Sequence, residues 1–124
     1  MKKIVAGLAV AFGLSACGEI TPEEQALIEL QQGVQYARCA TTVVTADTMG
    51  MKFDGVNLQD AFQGLYGLAQ SKLPQAEVDK AMSWMDQSYV TRAANGVVVK
   101  NVVETNARDC LDVLLAVQRK MSIH

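Results

Sequence analysis

The sequence predicts an all-α fold, a small antiparallel bundle of about four helices stapled by one disulfide. Two observations predict the helices. Apolar residues recur at steps of three and four in four segments, the spacing that places side chains on one face of an α-helix. Gly, Pro and Asn residues that begin or end helices separate these segments. Most connections are short, which is typical of antiparallel neighbours in a bundle.

The first helix is predicted over about residues 22–46. Thr21 can cap the free N–H groups, Pro22 suits the first helical position, and Glu24 completes a capping box. The second half of the helix is expected to be buried on more than one side. Its apolar stripe consists of Leu27, Leu30, Val34 and Ala37, extended by Tyr36, Cys39, Ala40, Val43 and Val44.

Residues 47–56 lose the helical period and form the longest predicted loop. A second helix follows, capped by Asn57 and ended by Leu73-Pro74, because the residue before proline avoids the helical conformation. Gly64 and Gly67 lie inside it at a cost of about 1 kcal/mol each relative to alanine, which predicts close approach of a neighbouring helix.

The third helix is predicted to run from Pro74 to Asn95-Gly96, with Trp84 on the flank of its apolar face. The apolar face consists of Val78, Ala81, Met82, Met85 and Tyr89. Residues 97–103 have the composition of a strand. Helical spacing nevertheless continues to Met121, so a fourth helix is predicted over about 98–121. Its inner face consists of Val99, Val103, Ala107, Cys110, Leu114, Val117 and Met121.

The N-terminus has the layout of a secretory signal: Lys2 and Lys3, an apolar run over 4–14, then small residues before Cys17. That run is shorter than the roughly 20 residues that span a bilayer. Leu14-Ser15-Ala16-Cys17 resembles the lipobox of bacterial lipoprotein signal peptides. The resemblance, limited to residues 1–17, implies that Cys17 is acylated and becomes the first residue. An ordinary secretory signal with an incidental cysteine is the alternative.

The resemblance divides the chain into a signal peptide (1–16), the lipidated cysteine with a short linker (17–21) and a helical domain (22–124). Gly18 and Glu19 stand where an inner-membrane lipoprotein of this type tends to carry aspartate. This implies an outer-membrane lipoprotein facing the periplasm, or a plasma-membrane one in a Gram-positive organism. The linker, when extended, spans on the order of 14 Å, so the domain is expected close to the membrane.

Acylation of Cys17 leaves two cysteines, Cys39 and Cys110. A pair in an oxidising compartment predicts a disulfide, worth roughly 4 kcal/mol for a loop of this length; two buried thiols are the alternative. Loss of Lys2 and Lys3 leaves nine basic and thirteen acidic side chains, a net charge of −4. Nucleic acid is therefore not an expected partner, since phosphate contacts need clustered Lys and Arg.

No cofactor or enzymatic activity is expected. The single histidine, His124, is the last residue, so nucleophilic pairs and most zinc sites lack their usual residue. Carboxylate chemistry at Asp47, Asp54 and Asp60 remains open, although loop aspartates usually form turns. A weak alternative is a Cu(I) site of soft thioether ligands. Its candidates are Met49, Met51, Met82 and Met85.

The sequence therefore predicts a membrane-anchored, non-enzymatic protein-interaction module. Adaptor, inhibitor or immunity, and exclusion roles all need a small rigid surface held at a membrane, with an envelope protein as partner. The 47–56 loop, with Met49, Met51 and Phe53, is the expected contact surface. The alternative function is a periplasmic carrier of an apolar ligand or Cu(I).

Overall fold

The structure is a computed structural model that describes residues 20–123. This range contains four helices: α1 (Pro22–Thr48), α2 (Leu58–Lys72), α3 (Gln75–Ala94) and α4 (Val99–Ile123). The same range contains no strand, so the all-α prediction is confirmed, and the valine-rich segment enters α4 at Val99. The predicted helix bounds differ from the observed ones by no more than two residues.

Local side-chain and backbone chemistry sets the helix ends. Thr21 and Glu24 form the predicted capping box, in which Glu24 N donates to Thr21 Oγ1 at 3.1 Å and Thr21 N donates to Glu24 Oε1 at 3.0 Å. Asn57 Oδ1 accepts from Asp60 N at the start of α2. Gly96, after α3, has a φ of 84°, in the left-handed region that glycine adopts without strain.

Helix α1 lies at the centre of the bundle. Each of the other three helices packs against it, whereas those three make few contacts with one another. The second half of α1 is buried on several sides, as predicted. Its buried residues are Gly33, Tyr36, Ala37, Cys39, Ala40, Thr41, Thr42, Val43 and Ala46. Because α1 is surrounded only along this half, its first two turns remain largely uncovered.

Three contacts, together with the connections between the helices, set the helix directions. Leu73, at the end of α2, lies against Gly33 so closely that a Cβ on Gly33 would be 2.5 Å from Leu73 Cγ. Tyr89, late in α3, bonds to Thr42. Cys110 of α4 is joined to Cys39 by the predicted disulfide, with Cα atoms 5.4 Å apart. Consecutive helices are therefore antiparallel.

Three details of packing were predicted wrongly. Gly64 does approach a neighbour, since its Cβ would lie 3.3 Å from Leu114 Cδ1, but Gly67 faces open space. Met121 is 63% exposed, because the end of α4 extends past the part that the other helices cover. Val44 is also exposed, on a side of α1 that no neighbour covers completely. Among the described helices none is both long and apolar enough to cross a membrane.

Candidate functional site

An open groove of about 620 Å³ runs along α1 between α3 and α4, and we call it the α1 groove. The apolar stripe predicted for the first half of α1 forms one wall of it. Leu30 in this stripe is 45% exposed. The apolar lining consists of Leu27, Leu30 and Val34 from α1, Met85 from α3, Val113 from α4 and the disulfide sulfurs of Cys39 and Cys110. Leu30 is thus at the surface, whereas Val34, from the same stripe, packs against the core and Ala37 is buried in it.

Arg38 lines the α1 groove and contacts Trp84 of α3. Arg38 Cζ lies 4.0 Å from the centroid of the Trp84 ring, a cation–π contact, and Trp84 itself is 54% exposed. Arg38 Nε is buried without a hydrogen-bond partner, and within residues 20–123 Arg38 forms no ion pair. The Trp84 indole therefore holds the Arg38 guanidinium beside an apolar surface. One N–H group of this guanidinium, at Nε, has no hydrogen-bond acceptor.

The inner end of the groove meets a polar network that joins three helices. Thr42 and Tyr89 are buried, and their hydroxyl oxygens lie 2.8 Å apart. Asn106 Nδ2 donates to Tyr89 Oη at 3.1 Å. Thr42 and Asn106 also line the groove. Hydrogen bonding compensates the burial of these polar groups and fixes the groove walls relative to one another.

The predicted contact loop is only partly available at the surface. Met51 and Phe53 are half-buried and pack against the core, whereas Met49 is 43% exposed. Arg108 of α4 covers Phe53, with its Cζ 5.1 Å from the ring centroid. Because Phe53 is held in this way, the loop presents less apolar surface than the sequence predicted.

Asp54 and Asp60, two of the three aspartates considered for carboxylate chemistry, line a second groove of about 640 Å³ between the loop and α4. Asp112 lines it too. Asp47 is exposed in the last turn of α1. No group of three or more His, Cys, Asp and Glu side chains in the described range has a metal-binding arrangement.

The four methionines considered for Cu(I) do not all lie at the surface. Met51, Met82 and Met85 pack against the core. Met82 O accepts a hydrogen bond from Thr41 Oγ1, and Thr41 lies roughly 12 Å along α1 from Met49 at the rise of an α-helix. The structure thus gives three of these residues a packing role, and copper binding stays a prediction. The predicted lipidation site Cys17 and the histidine His124 lie outside the described residues.

Arg38, Thr42 and Asn106 are not among the site residues predicted from the sequence. A signal for the last two existed: each polar residue stands in an otherwise apolar, inward-facing pattern, Thr42 before Val43 and Asn106 before Ala107. Nothing local to Arg38 indicates a contact with Trp84, which lies 46 positions away in the chain.

Comparisons with protein-family models, curated proteins and solved structures found no match to this chain.

Proposed function

We propose that the protein is a lipoprotein, anchored to the outer membrane by acyl chains on Cys17, that acts in the periplasm by binding protein rather than by catalysis. The lipobox supports the anchor, since two or three acyl chains at about 0.8 kcal/mol per buried methylene give stable attachment. In a Gram-positive organism the same anchor would hold it at the plasma membrane.

The distance between anchor and fold supports a role close to the membrane. Cys17 is separated from the first helical residue, Pro22, by four residues. A tether of this length reaches on the order of 14–17 Å when extended. The α1 groove begins at Leu27, little more than one turn into α1. The groove would therefore lie at the membrane-facing end of the domain.

The observation that carries the proposal is the apolar lining of the α1 groove, in which Leu30 is exposed. Leu27, Leu30 and Val34 line a groove that is open along its length and whose surface is mostly apolar. Grooves that hold small ligands bury most of the ligand surface, whereas open apolar grooves between helices are typical of sites that accept a helix. Adaptor, inhibitor or immunity, and exclusion functions all fit such a surface.

Photocrosslinking in intact cells tests the proposal. A photoreactive residue at position 30, in the groove, should yield discrete protein adducts of the acylated chain, whereas one at Gln63, an exposed residue of α2, should not. Adducts in equal yield at both positions, or adducts at neither, would contradict a protein-binding groove. Repeating the experiment with Cys17→Ser shows whether the contact needs the anchor, and we expect the adduct yield to fall.

The groove volume also supports the second candidate, a carrier of an apolar ligand. The two candidates differ in what the purified protein retains. Native mass spectrometry of the Cys17→Ser protein, from cells and after incubation with phospholipid or fatty acid, would show a bound ligand if it is a carrier. Loss of that ligand in Leu30→Glu would place it in the α1 groove, and Cu(I) titration tests the metal alternative separately.

A further inference from the structure

We propose that the occupant of the α1 groove is a second copy of this chain, bound through α1 in an antiparallel, two-fold symmetric pair. The inference rests on the proposed function only in taking the groove as a surface that binds protein. It follows from the order of side chains along the face of α1 that lines the groove.

On the face of α1 that lines the groove, the apolar residues stand between two opposite charges, and we call this set of side chains the groove face. Glu23, Leu27, Leu30, Val34 and Arg38 follow one another at steps of three and four, so they share one face of α1. An acidic residue thus begins the groove face, three apolar residues form its middle, and a basic residue ends it. Four of the five line the groove, and Glu23 is exposed just before it.

The groove face is complementary to itself when two copies run antiparallel. A two-fold axis between positions 30 and 31 places Leu27 of one copy opposite Val34 of the other. The same axis places Glu23 of each copy opposite Arg38 of the other, so the pair contains two identical ion pairs. This is an isologous contact, the commonest kind in soluble dimers. A parallel pair would place like charges together at both ends.

The charged groups that the pair needs are available. Within residues 20–123 neither Glu23 nor Arg38 forms an ion pair. Trp84 holds the Arg38 guanidinium in place, so less side-chain freedom is lost on binding. Asp109 of α4 also lines the groove, so the groove contains both an acidic and a basic side chain.

The length of this face of α1 is sufficient for a contact between two helices. From residue 23 to residue 38 the groove face extends about 22 Å along α1, a length of four helical turns. Packed helices have axes about 8–10 Å apart, and the groove is open to solvent along α1, so a second helix has access to this face.

The proposed anchor is compatible with this symmetry. If the two-fold axis is normal to the membrane, both copies of α1 lie along its surface and both N-termini reach the same leaflet. Tethering to one membrane raises the effective concentration of each copy for the other.

Sedimentation equilibrium of the Cys17→Ser protein, free of acyl chains and of the signal segment 1–16, tests the pair directly. We expect a monomer–dimer equilibrium, and Arg38→Glu or Glu23→Arg should each weaken it by about tenfold or more, since every copy contributes to two ion pairs. The double variant Glu23→Arg with Arg38→Glu should restore dimerisation, because the charges are exchanged and the apolar contact is kept. Leu30→Glu should abolish it, whereas Val90→Glu, at an exposed position of α3 outside the groove, should not.

Thermal unfolding of each variant controls for folding, and the exposure of Leu30 predicts little loss in Leu30→Glu. A chain that stays monomeric at about 1 mM, or a double exchange that fails to restore the dimer, overturns the inference. The two failures are distinguishable. If the protein is monomeric but position 30 still crosslinks to a different envelope protein, the self-pairing is refuted and the proposed function stands. If position 30 forms no adduct of any kind, both are refuted.

Discussion

The hydroxyl oxygens of Thr42 and Tyr89 lie 2.8 Å apart in the core, and Asn106 donates to the same tyrosine oxygen. One side chain from each of α1, α3 and α4 therefore meets at a single buried point. Since α3 and α4 make few other contacts with each other, this network is a principal link between them. It also sets the distance between two walls of the α1 groove.

Removing the central hydroxyl should destabilise the fold. Tyr89→Phe leaves the Thr42 hydroxyl buried without this partner, and we expect a loss of about 1–3 kcal/mol in the free energy of unfolding, measured by urea denaturation. Tyr66→Phe is the matched control, because the Tyr66 hydroxyl accepts only an exposed hydrogen bond from Gln75, and its effect should be within about 0.5 kcal/mol. Equal stability of the two variants would show that the buried network contributes nothing.

Loss of the disulfide should be the largest single effect. The bond between Cys39 and Cys110 links residues 71 positions apart and encloses α2 and α3. The chain-entropy model gives roughly 4 kcal/mol for such a loop, so Cys39→Ala with Cys110→Ala should lower the free energy of unfolding by that order. A reducing agent should lower the stability of the unmodified protein similarly and leave the double variant unchanged. A change below about 1 kcal/mol would contradict this estimate.

Two helical glycines should respond to alanine in opposite directions. Gly33→Ala gains helix propensity, but its Cβ would be 2.5 Å from Leu73 Cγ and 2.9 Å from Lys72 Cβ, atoms too close to the backbone to move aside. We expect a net loss of about 1–3 kcal/mol. Gly67→Ala meets nothing within 4 Å and should gain about 1 kcal/mol. Thermal melting of both variants measures the difference, and a stabilised Gly33→Ala would show that α1 and α2 can separate at little cost.

The proposed anchor predicts a change of location. Cys17→Ser should move the protein from the membrane fraction to the soluble periplasmic fraction, because no acyl chain can be attached. Mass spectrometry must first establish that the signal segment has been removed, since an uncleaved apolar run would itself hold the chain at a membrane. Cys39→Ala with Cys110→Ala retains Cys17 and should still sediment with membranes. A processed Cys17→Ser chain that remains in the membrane fraction would refute acylation as the anchor.

Periodicity and helix-end chemistry were enough to predict the helices. Thr21 caps α1 by a bond to the residue three positions on, and Pro74 restricts the residue directly before it, so the evidence for these ends lies within a few residues of each. The valine-rich start of α4 was resolved in favour of a helix by a repeat that continues over its whole length. The pairing of Cys39 with Cys110 needed one further premise, that the third cysteine is used elsewhere.

The candidate site could not be predicted in the same way. Leu27, Leu30 and Val34 have the spacing of a core stripe, and sequence alone does not distinguish a stripe covered by a neighbouring helix from one left open. The contact between Arg38 and Trp84 joins α1 to α3, and the network around Tyr89 joins three helices. Each depends on where helices remote in sequence come to lie.

By itself, then, the sequence determined the number, extent and order of the helices and the presence of a cysteine pair, because caps, proline restrictions and helical period act over a few residues. The tertiary structure decided that α1 is central, that its first half is left uncovered beside Arg38 and Trp84, and that Met51 and Phe53 turn toward the core. The physical reason is that burial is a property of the assembled helices. Which face of an amphipathic helix is covered depends on the distances between segments that only folding brings together.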